Sequence, residues 1–472
     1  MSAIIEKICA EVSKRVTPSN NERRRILELA HNMKRKVTEA AEAEGVKVTV
    51  RVEGSVAKDT WLSEEPDIDI FMRVPPIVPR EEFGKTLLKI ARKATKGLIQ
   101  IERFAEHAYL EAVTDNIRVN IVPCYQVEQG EWISATDRTP FHTDYVKARL
   151  KEKSCIEIRI LKKFMKKVGV YGAEIKVGGF SGYLCELLVL NYGSFAEVLE
   201  SFAGWKGRHI IDYEGLYGGT EENIGEVFEE PLVVVDPVDK RRNAAAAVRV
   251  DRLNEFVAAA REFLNRPHLG FFYPTEMTAL SDKKLLRNIE IRGSTLVFVN
   301  FRKVETVPDV LWGQLYKSQR SIREMLEKHG FNVIRDVVWS DEENLNAFIF
   351  ELEEKFLPLM KKHLGPPIRK RTECERFLQK HLDAPHTVSG PRVEGERWVV
   401  EIKRKHRDVV DLLNSKLRGG GRNIGVAGLI SHVLSEGFEI LVNEEILETY
   451  ASNLRFAKFL MEYLKGKPGW LQ

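Results

Sequence analysis

Residues 54–71, GSVAKDTWLSEEPDIDIF, constrain this chain more than any other stretch. They set a Gly-Ser turn shortly before a strand in which aspartates alternate with isoleucines. Successive side chains of a strand point to opposite faces, so Asp67 and Asp69 share one face while Ile68 and Ile70 share the other. Two adjacent carboxylates repel, and in a half-buried strand they require a compensating cation. Hard oxygen donors of this kind suit Mg²⁺ bound together with a substrate's phosphates. Upstream, Val46, Val48, Val50 and Val52 alternate with polar residues, so a first strand ends where Gly54 lets backbone approach an anion closely. Strand, Gly54-Ser55 turn, Lys58 and a second strand carrying D-x-D make a coherent triphosphate and metal site.

The order of these pieces resembles the nucleotidyltransferase superfamily of the DNA polymerase β type. There a G-S turn precedes an acidic–hydrophobic–acidic strand, and a later strand brings a third carboxylate. Composition agrees with an intracellular enzyme: 472 residues, 43% hydrophobic and 30% charged, give room for about three domains of roughly 150 residues each. No apolar run approaches the ~18 residues of a membrane span. The opening MSAIIEKICAEVSKRV carries acidic residues within its apolar pattern, unlike a signal peptide, so a cytoplasmic protein with no membrane partner is expected. Cys9, Cys124, Cys155, Cys185 and Cys374 show no C-x-x-C spacing and read as small buried hydrophobes, not as a zinc site or a disulfide framework.

A net charge of +4 decides little, so clustering matters more. Lys240-Arg241-Arg242, the stretch Lys361 to Arg371, Lys403 to Arg407 and the loop Arg418 to Arg422 read either as a phosphate-tracking surface or as ordinary solvated faces. The glycines between Arg418 and Arg422 also allow a flexible connection there.

Periodicity predicts a helix over 22–43, the strand-turn-strand, a helix near 82–95 and two further strands. The second of these, Ile117 to Val122, is expected to end at Pro123. From Cys155 the period turns helical, with Ile158, Leu161, Phe164, Met165 and Val168 on one stripe and Lys162, Lys163, Lys166 and Lys167 mostly opposite. Beyond Pro274 strands return around a helix at 313–329.

Several blocks make the resemblance narrower. DRTPFHTDYV (137–146), RILKKFMKKVGVYGAE (159–174), GFSGYLCELL (179–188) and DPVDKRRNAAAAV (236–248) look like those of the archaeal, class I CCA-adding enzymes, the tRNA nucleotidyltransferases. LWGQL at 311–315 and GPP at 365–367 continue the order. This resemblance implies an α+β multidomain fold: a polymerase β-like nucleotidyltransferase α/β head (1–150), a central helical domain (151–275), an α+β body (276–368) and a tail (369–472), the last two binding RNA. It implies template-independent addition of C, C and A to tRNA 3′ ends from CTP and ATP, with Mg²⁺ ions held by three carboxylates, and it leaves room for a homodimer. Carried over by motif, Asp67 and Asp69 are the first two carboxylates. Gly54, Ser55, Lys58, His142, Lys162 and Tyr171 match positions around the incoming nucleotide's triphosphate and sugar. Arg242 matches an arginine that reads the Watson–Crick edges of C and A.

One position departs. Where the family has its third carboxylate this chain reads Val119-Asn120-Ile121-Val122-Pro123. An amide is a neutral ligand through one oxygen and a poor proton acceptor, so Asn120 weakens the metal site. Asp115, five residues along the strand, is expected on the opposite face. The alternatives are a poly(A) polymerase-like or oligoadenylate synthetase-like nucleotidyltransferase, and a catalytically impaired tRNA-binding variant for which Asn120 is the evidence.

Overall fold

The computed structural model describes residues 2–63, 65–104, 107–218, 224–275 and 278–471. It divides into two compact units, Met1–Glu276 with Lys467–Gln472, and Met277–Gly466.

The first unit opens with α1 (Ser2–Val16) and α2 (Asn20–Ala43). The sequence Ser19-Asn-Asn-Glu22 caps α2 reciprocally: Ser19 Oγ accepts from the Glu22 N–H at 3.2 Å, and Glu22 Oε2 accepts from the Ser19 N–H at 3.3 Å. Glu22 also accepts from Ser63 Oγ at 2.9 Å, which ties the helix start to the loop entering the aspartate strand. Ile26, Ala30, Met33 and Val37, spaced by three or four, bury one face of α2 against the sheet.

That sheet runs in the order β1 (Thr49–Glu53), β2 (Asp67–Val74), β5 (Ile117–Tyr125), β4 (Ala108–Thr114), β3 (Ile99–Phe104). Only β2 and β5 are parallel. The four-residue helix α3 (Gly54–Ala57) follows β1, and α4 (Arg80–Ala94) follows β2. Ile68, Ile70, Met72 and Val74 are fully buried in one core with α2 and α4, which leaves Asp67 and Asp69 on the other face, as the alternation predicts. β1 begins at Thr49, not Val46, because its partner β2 ends one residue beyond the Thr49–Arg73 pair.

Two further expectations are corrected here. β5 runs through Pro123 to Tyr125: its pairing with β4 stops at Ile121 opposite Leu110, so at Pro123 only β2 flanks it and a residue without an N–H is tolerated. Asp115 is not on the strand at all. With Asn116 it forms the two-residue β4–β5 turn, at φ +49° and +63°, and it pairs with Arg25 at 3.2 Å.

After α5 (Thr139–Arg149) come α6 (Glu152–Val168), α7 (Gly182–Tyr192) and α8 (Phe195–Ala203), then a small sheet of β6 (His209–Ile211), β7 (Leu232–Asp236) and β8 (Asp239–Asn243), and α9 (Val250–Asn265). Phe164, Phe180, Phe195, Phe202, Phe256 and Phe263 are fully buried at the centre of this part. α6 departs from the expected two-faced pattern. Lys162 and Arg159 are buried with the apolar stripe, while Lys163 and Lys166 are half-buried and Lys167 is exposed. Cys9 is half-buried and the other four cysteines are buried, all unpaired.

In the second unit the helix Pro308–His329 lies beside a sheet ordered Val333–Ser340, Leu345–Leu352, Thr295–Arg302, Glu439–Val442. A second sheet joins Met360–Pro367, Arg397–Lys403 and Thr387–Glu394, so ladder hydrogen bonds cross position 368. Gly420 and Gly421 adopt φ +83° and +70°, and a Cβ on Gly421 would press on Val426 at 2.7 Å, so the Arg418–Arg422 loop is a packed turn and not a free connection. Among the described residues no helix is long and apolar enough to cross a membrane.

Candidate active site

All ten sequence-predicted site residues lie in the first unit, in three adjoining groups. The first is the polar face of β2 and β5. Parallel register sets Asp67 beside Arg118 and Asp69 beside Asn120. Arg118 grips Asp67 in a fork, Nε at 2.8 Å and Nη2 at 2.9 Å, and Asn120 Nδ2 donates to Asp69 Oδ1 at 3.0 Å. Gly54, at φ +72°, backs directly onto Asp69: any Cβ there would overlap the Asp69 carboxylate, so only glycine lets the turn approach this strand. Ser55 follows it, half-buried in α3. Burial, with the neighbouring Asp67 charge, pushes the Asp69 carboxyl up to about 6 against the Asn120 hydrogen bond and the Lys58 charge. A carboxylate so destabilised, with a second hard oxygen donor two residues away, fits a divalent cation.

The second group is buried. Lys58 Nζ donates to Glu186 Oε2 at 2.5 Å, Thr60 Oγ1 to Glu186 Oε1 at 2.6 Å, and Lys162 Nζ to the same Oε1 at 3.2 Å and to Thr60 Oγ1 at 3.1 Å. Glu186 is 1% exposed; desolvation alone would raise its pKa, but the two ammonium groups hold it at about 2. Burial lowers Lys162 against the Glu186 attraction. Tyr171 adjoins the pair: a Cβ on Gly182 would meet both its hydroxyl, at 3.0 Å, and Lys162 Nζ, at 3.6 Å. The turn leading to Thr60 is fixed from behind by buried Arg159, which donates to the Asp59 and Trp61 carbonyls at 2.5 and 2.8 Å.

The third group centres on Asp236, the last residue of β7. His142 Nε2 lies 2.8 Å from its Oδ2, Arg242 Nη1 donates to the same oxygen at 2.7 Å, and the Tyr183 hydroxyl donates to Oδ1 at 3.0 Å. The His142 ring stacks on Tyr183 with centroids 4.0 Å apart. Burial lowers the His142 pKa although Asp236 opposes it. Arg242 also borders a 1420 Å³ cavity together with Arg138, Trp132, Gly179 and Ser181. Lys58 Nζ sits 5.9 Å from the Tyr183 ring centroid, which links the second and third groups.

Family comparison covers these groups in chain order. Residues 33–142 match the model of a nucleotidyltransferase domain, residues 156–273 that of the tRNA nucleotidyltransferase second domain, and residues 292–443 that of the CCA-adding enzyme C-terminal domain. The CCA-adding enzyme of Methanosarcina barkeri is 37% identical over 464 residues, covering 97% of this chain and 99% of that protein. The chain belongs to the CCA-adding enzymes. The CCA-adding enzyme of Pyrobaculum aerophilum is 38% identical over 428 residues, covering 89% of this chain and 96% of its own length.

Within this member of the CCA-adding enzymes, the residues assigned from the sequence include buried Lys58, Lys162 and His142, whereas the carboxylates that hold them were missed. Glu186 and Tyr183 lie in the GFSGYLCELL block and Asp236 opens DPVDKRRN, yet none was assigned a role. For Glu186 a signal existed. A glutamate flanked by Cys185 and Leu187 in an otherwise apolar helix cannot be buried without a cation, and lysines lay in two neighbouring blocks.

Proposed function

We propose that this chain adds C, C and A in turn to tRNA 3′ ends, taking CTP and ATP without a nucleic-acid template and releasing pyrophosphate. The observation that carries this is the match of head, second domain and C-terminal domain in order, with 37% identity over 97% of the chain.

The RNA 3′-hydroxyl attacks the α-phosphate in line, and positioning supplies much of the acceleration. Lys58 and Lys162 offer charge to phosphate oxygens, and Glu186 fixes both ammonium groups before the nucleotide arrives, so little reorganisation is required on binding. Ser55 offers a hydroxyl and a backbone N–H beside the close approach at Gly54. The Tyr171 phenol, adjacent to Lys162, donates to or stacks on the nucleotide. Asp236 orients the Arg242 fork, whose donors suit acceptors common to C and A, and one arginine therefore serves both bases. Asp67 and Asp69 would hold Mg²⁺, which when bound offsets charge on the transferring phosphoryl group and lowers the pKa of the attacking hydroxyl. We keep the division at 150, 275 and 368 as part of this proposal, with body and tail sharing the sheet that crosses 368.

Sequencing the products from a tRNA that ends before CCA, incubated with CTP, ATP and Mg²⁺, tests the reading. Addition of CCA and arrest there is expected. An untemplated run of A, or binding of tRNA with no addition under any metal, would replace it with the poly(A) polymerase-like or the tRNA-binding reading.

A further inference from the structure

The first turn of α7 carries two side chains that reach into different groups of the site. Ser181 caps the helix, its Oγ accepting from the Leu184 N–H at 3.1 Å, which fixes where the turn begins. Tyr183 and Glu186, at i and i+3, then share one helix face. Glu186 holds Lys58 and Lys162, whereas Tyr183 serves the Asp236 group: its hydroxyl donates to Asp236 Oδ1 at 3.0 Å, and its ring stacks on His142. Asp236 is fully buried, with both oxygens occupied. Oδ2 accepts from Arg242 Nη1 at 2.7 Å and lies 2.8 Å from His142 Nε2, while Oδ1 accepts from the Tyr183 hydroxyl and, at 3.1 Å, from the Val238 N–H. An ionised carboxylate offers about four lone-pair sites, so these partners together fix its rotation about the Cβ–Cγ bond. Burial, with the Asp236 charge, raises the Tyr183 pKa, so the phenol keeps its proton and stays a donor.

We infer that Tyr183 is a specificity-determining positioning residue: by holding Oδ1 of Asp236 it aims Oδ2, and with it the Arg242 fork, at the Watson–Crick edge of the incoming base. The inference rests on the base-reading role proposed above for Arg242. On that edge C and A present a ring-nitrogen acceptor, N3 and N1, where U and G present an N–H. An arginine has donors only, so it satisfies the first pair and sets hydrogen against hydrogen with the second. That discrimination depends on direction, because a guanidinium free to swing can avoid the N–H and reach a carbonyl of U or G instead. Without the Tyr183 hydroxyl, Oδ1 keeps the Val238 N–H alone. A carboxylate torsion is broad and roughly two-fold, so the plane can then turn and carry Arg242 with it. The Arg242 side chain, 38% exposed at the cavity, has room to follow. A tyrosine with a structural role only would behave differently, since losing its hydroxyl would weaken all four nucleotides alike.

The test uses the complete chain with Tyr183→Phe, which keeps the ring that packs on His142, and with Arg242→Ala as the reference, folding being checked by circular dichroism. Equilibrium dialysis gives Kd for CTP and UTP in complexes with a tRNA that ends before CCA, and for ATP and GTP with one that ends in CC, each blocked by a 3′-deoxy terminus so that no chemistry is required. Tyr183→Phe is expected to lower C-over-U and A-over-G selectivity at least about fivefold, and to change it less than about twofold further once Arg242 is alanine, because the two residues act in series. Equal weakening of all four nucleotides, with selectivity kept, would overturn the inference and mark a structural hydrogen bond. So would a full selectivity loss that persists in the Arg242→Ala background, since Tyr183 would then act without Arg242. Parental selectivity in Arg242→Ala itself would remove the base-reading role and the inference with it. Product sequencing on unblocked tRNA is scored separately: selectivities as expected with no CCA addition would remove the function and leave the positioning role.

Discussion

The two charged clusters of the catalytic unit differ in how they meet their electrostatic cost. Around Glu186 every partner is supplied from within: two lysines and a threonine surround one carboxylate, all of it buried. On β2 the protein supplies less than the carboxylates demand, with one arginine on the half-exposed Asp67 and one neutral amide on Asp69. A closed cluster of the first kind fixes geometry, whereas an open one of the second kind has its remaining interactions available to something that arrives from solution. The comparison separates groups whose positions are fixed in advance from groups left with unmet demand within one unit.

Removing the open cluster should hurt chemistry most. Asp69→Ala is expected to lower single-turnover C addition by at least about 10³-fold, about 4 kcal/mol of barrier, with tRNA binding nearly intact. A rate within tenfold of the parent would erase the distinction, because Asp69 would then be another structural acid.

The closed cluster should answer in stability. Glu186→Ala leaves two buried ammonium groups unpaired and should destabilise the catalytic unit by about 3–5 kcal/mol in urea unfolding, with Glu186→Gln less severe. The sign with pH follows from a folded carboxyl held at about 2, below the ordinary 4.5. Its contribution is complete above about pH 4.5 and is lost as pH falls through 2, so the urea midpoint should drop across that window and drop less in Glu186→Gln. A parent and a Glu186→Gln variant with the same acid profile would contradict the pairing.

Arg242 lies between the two types, anchored on buried Asp236 but 38% exposed at the cavity. Arg242→Ala should slow C and A incorporation about 10- to 100-fold, matching about 1.5–3 kcal/mol for a charged hydrogen-bond donor, while the unit loses some thermal stability but stays folded, because His142 and Tyr183 remain on buried Asp236. Equal C and A rates in parent and variant would shift base reading to other groups. The smallest change expected is a gain. Asn120→Asp should speed C addition about tenfold at low Mg²⁺, about 1.4 kcal/mol, and less when Mg²⁺ is saturating. No gain at any Mg²⁺ concentration would mean that position 120 does not face the metal.

What was legible in the sequence follows the same line. The strand alternation fixed the faces of Asp67 and Asp69 because period two is local, and the helix over 22–43 was recoverable because apolar spacing and a capping box agree. Lys162 was assigned to the solvated side of α6 because a helical wheel counts charge and knows nothing of a glutamate arriving from another helix 24 residues later. The end of β5 was misread for a related reason: whether a proline breaks a strand depends on how far the neighbouring strand extends, a fact of register and not of the proline.

The return of residues 467–472 to the first unit has a consequence for biosynthesis. Trp470 is 5% exposed and stacks on Phe271 at 5.8 Å, inside the phenylalanine core that also holds Phe164 and Phe263. A ribosome therefore translates the whole of Met277–Gly466 before it delivers the side chain that finishes the core of the catalytic unit. During that interval the phenylalanines near Phe271 lack one wall, a surface on which a chaperone or a protease can act. A chain lacking Trp470 would keep every side chain of the candidate site but leave the core beside Phe271 without that wall.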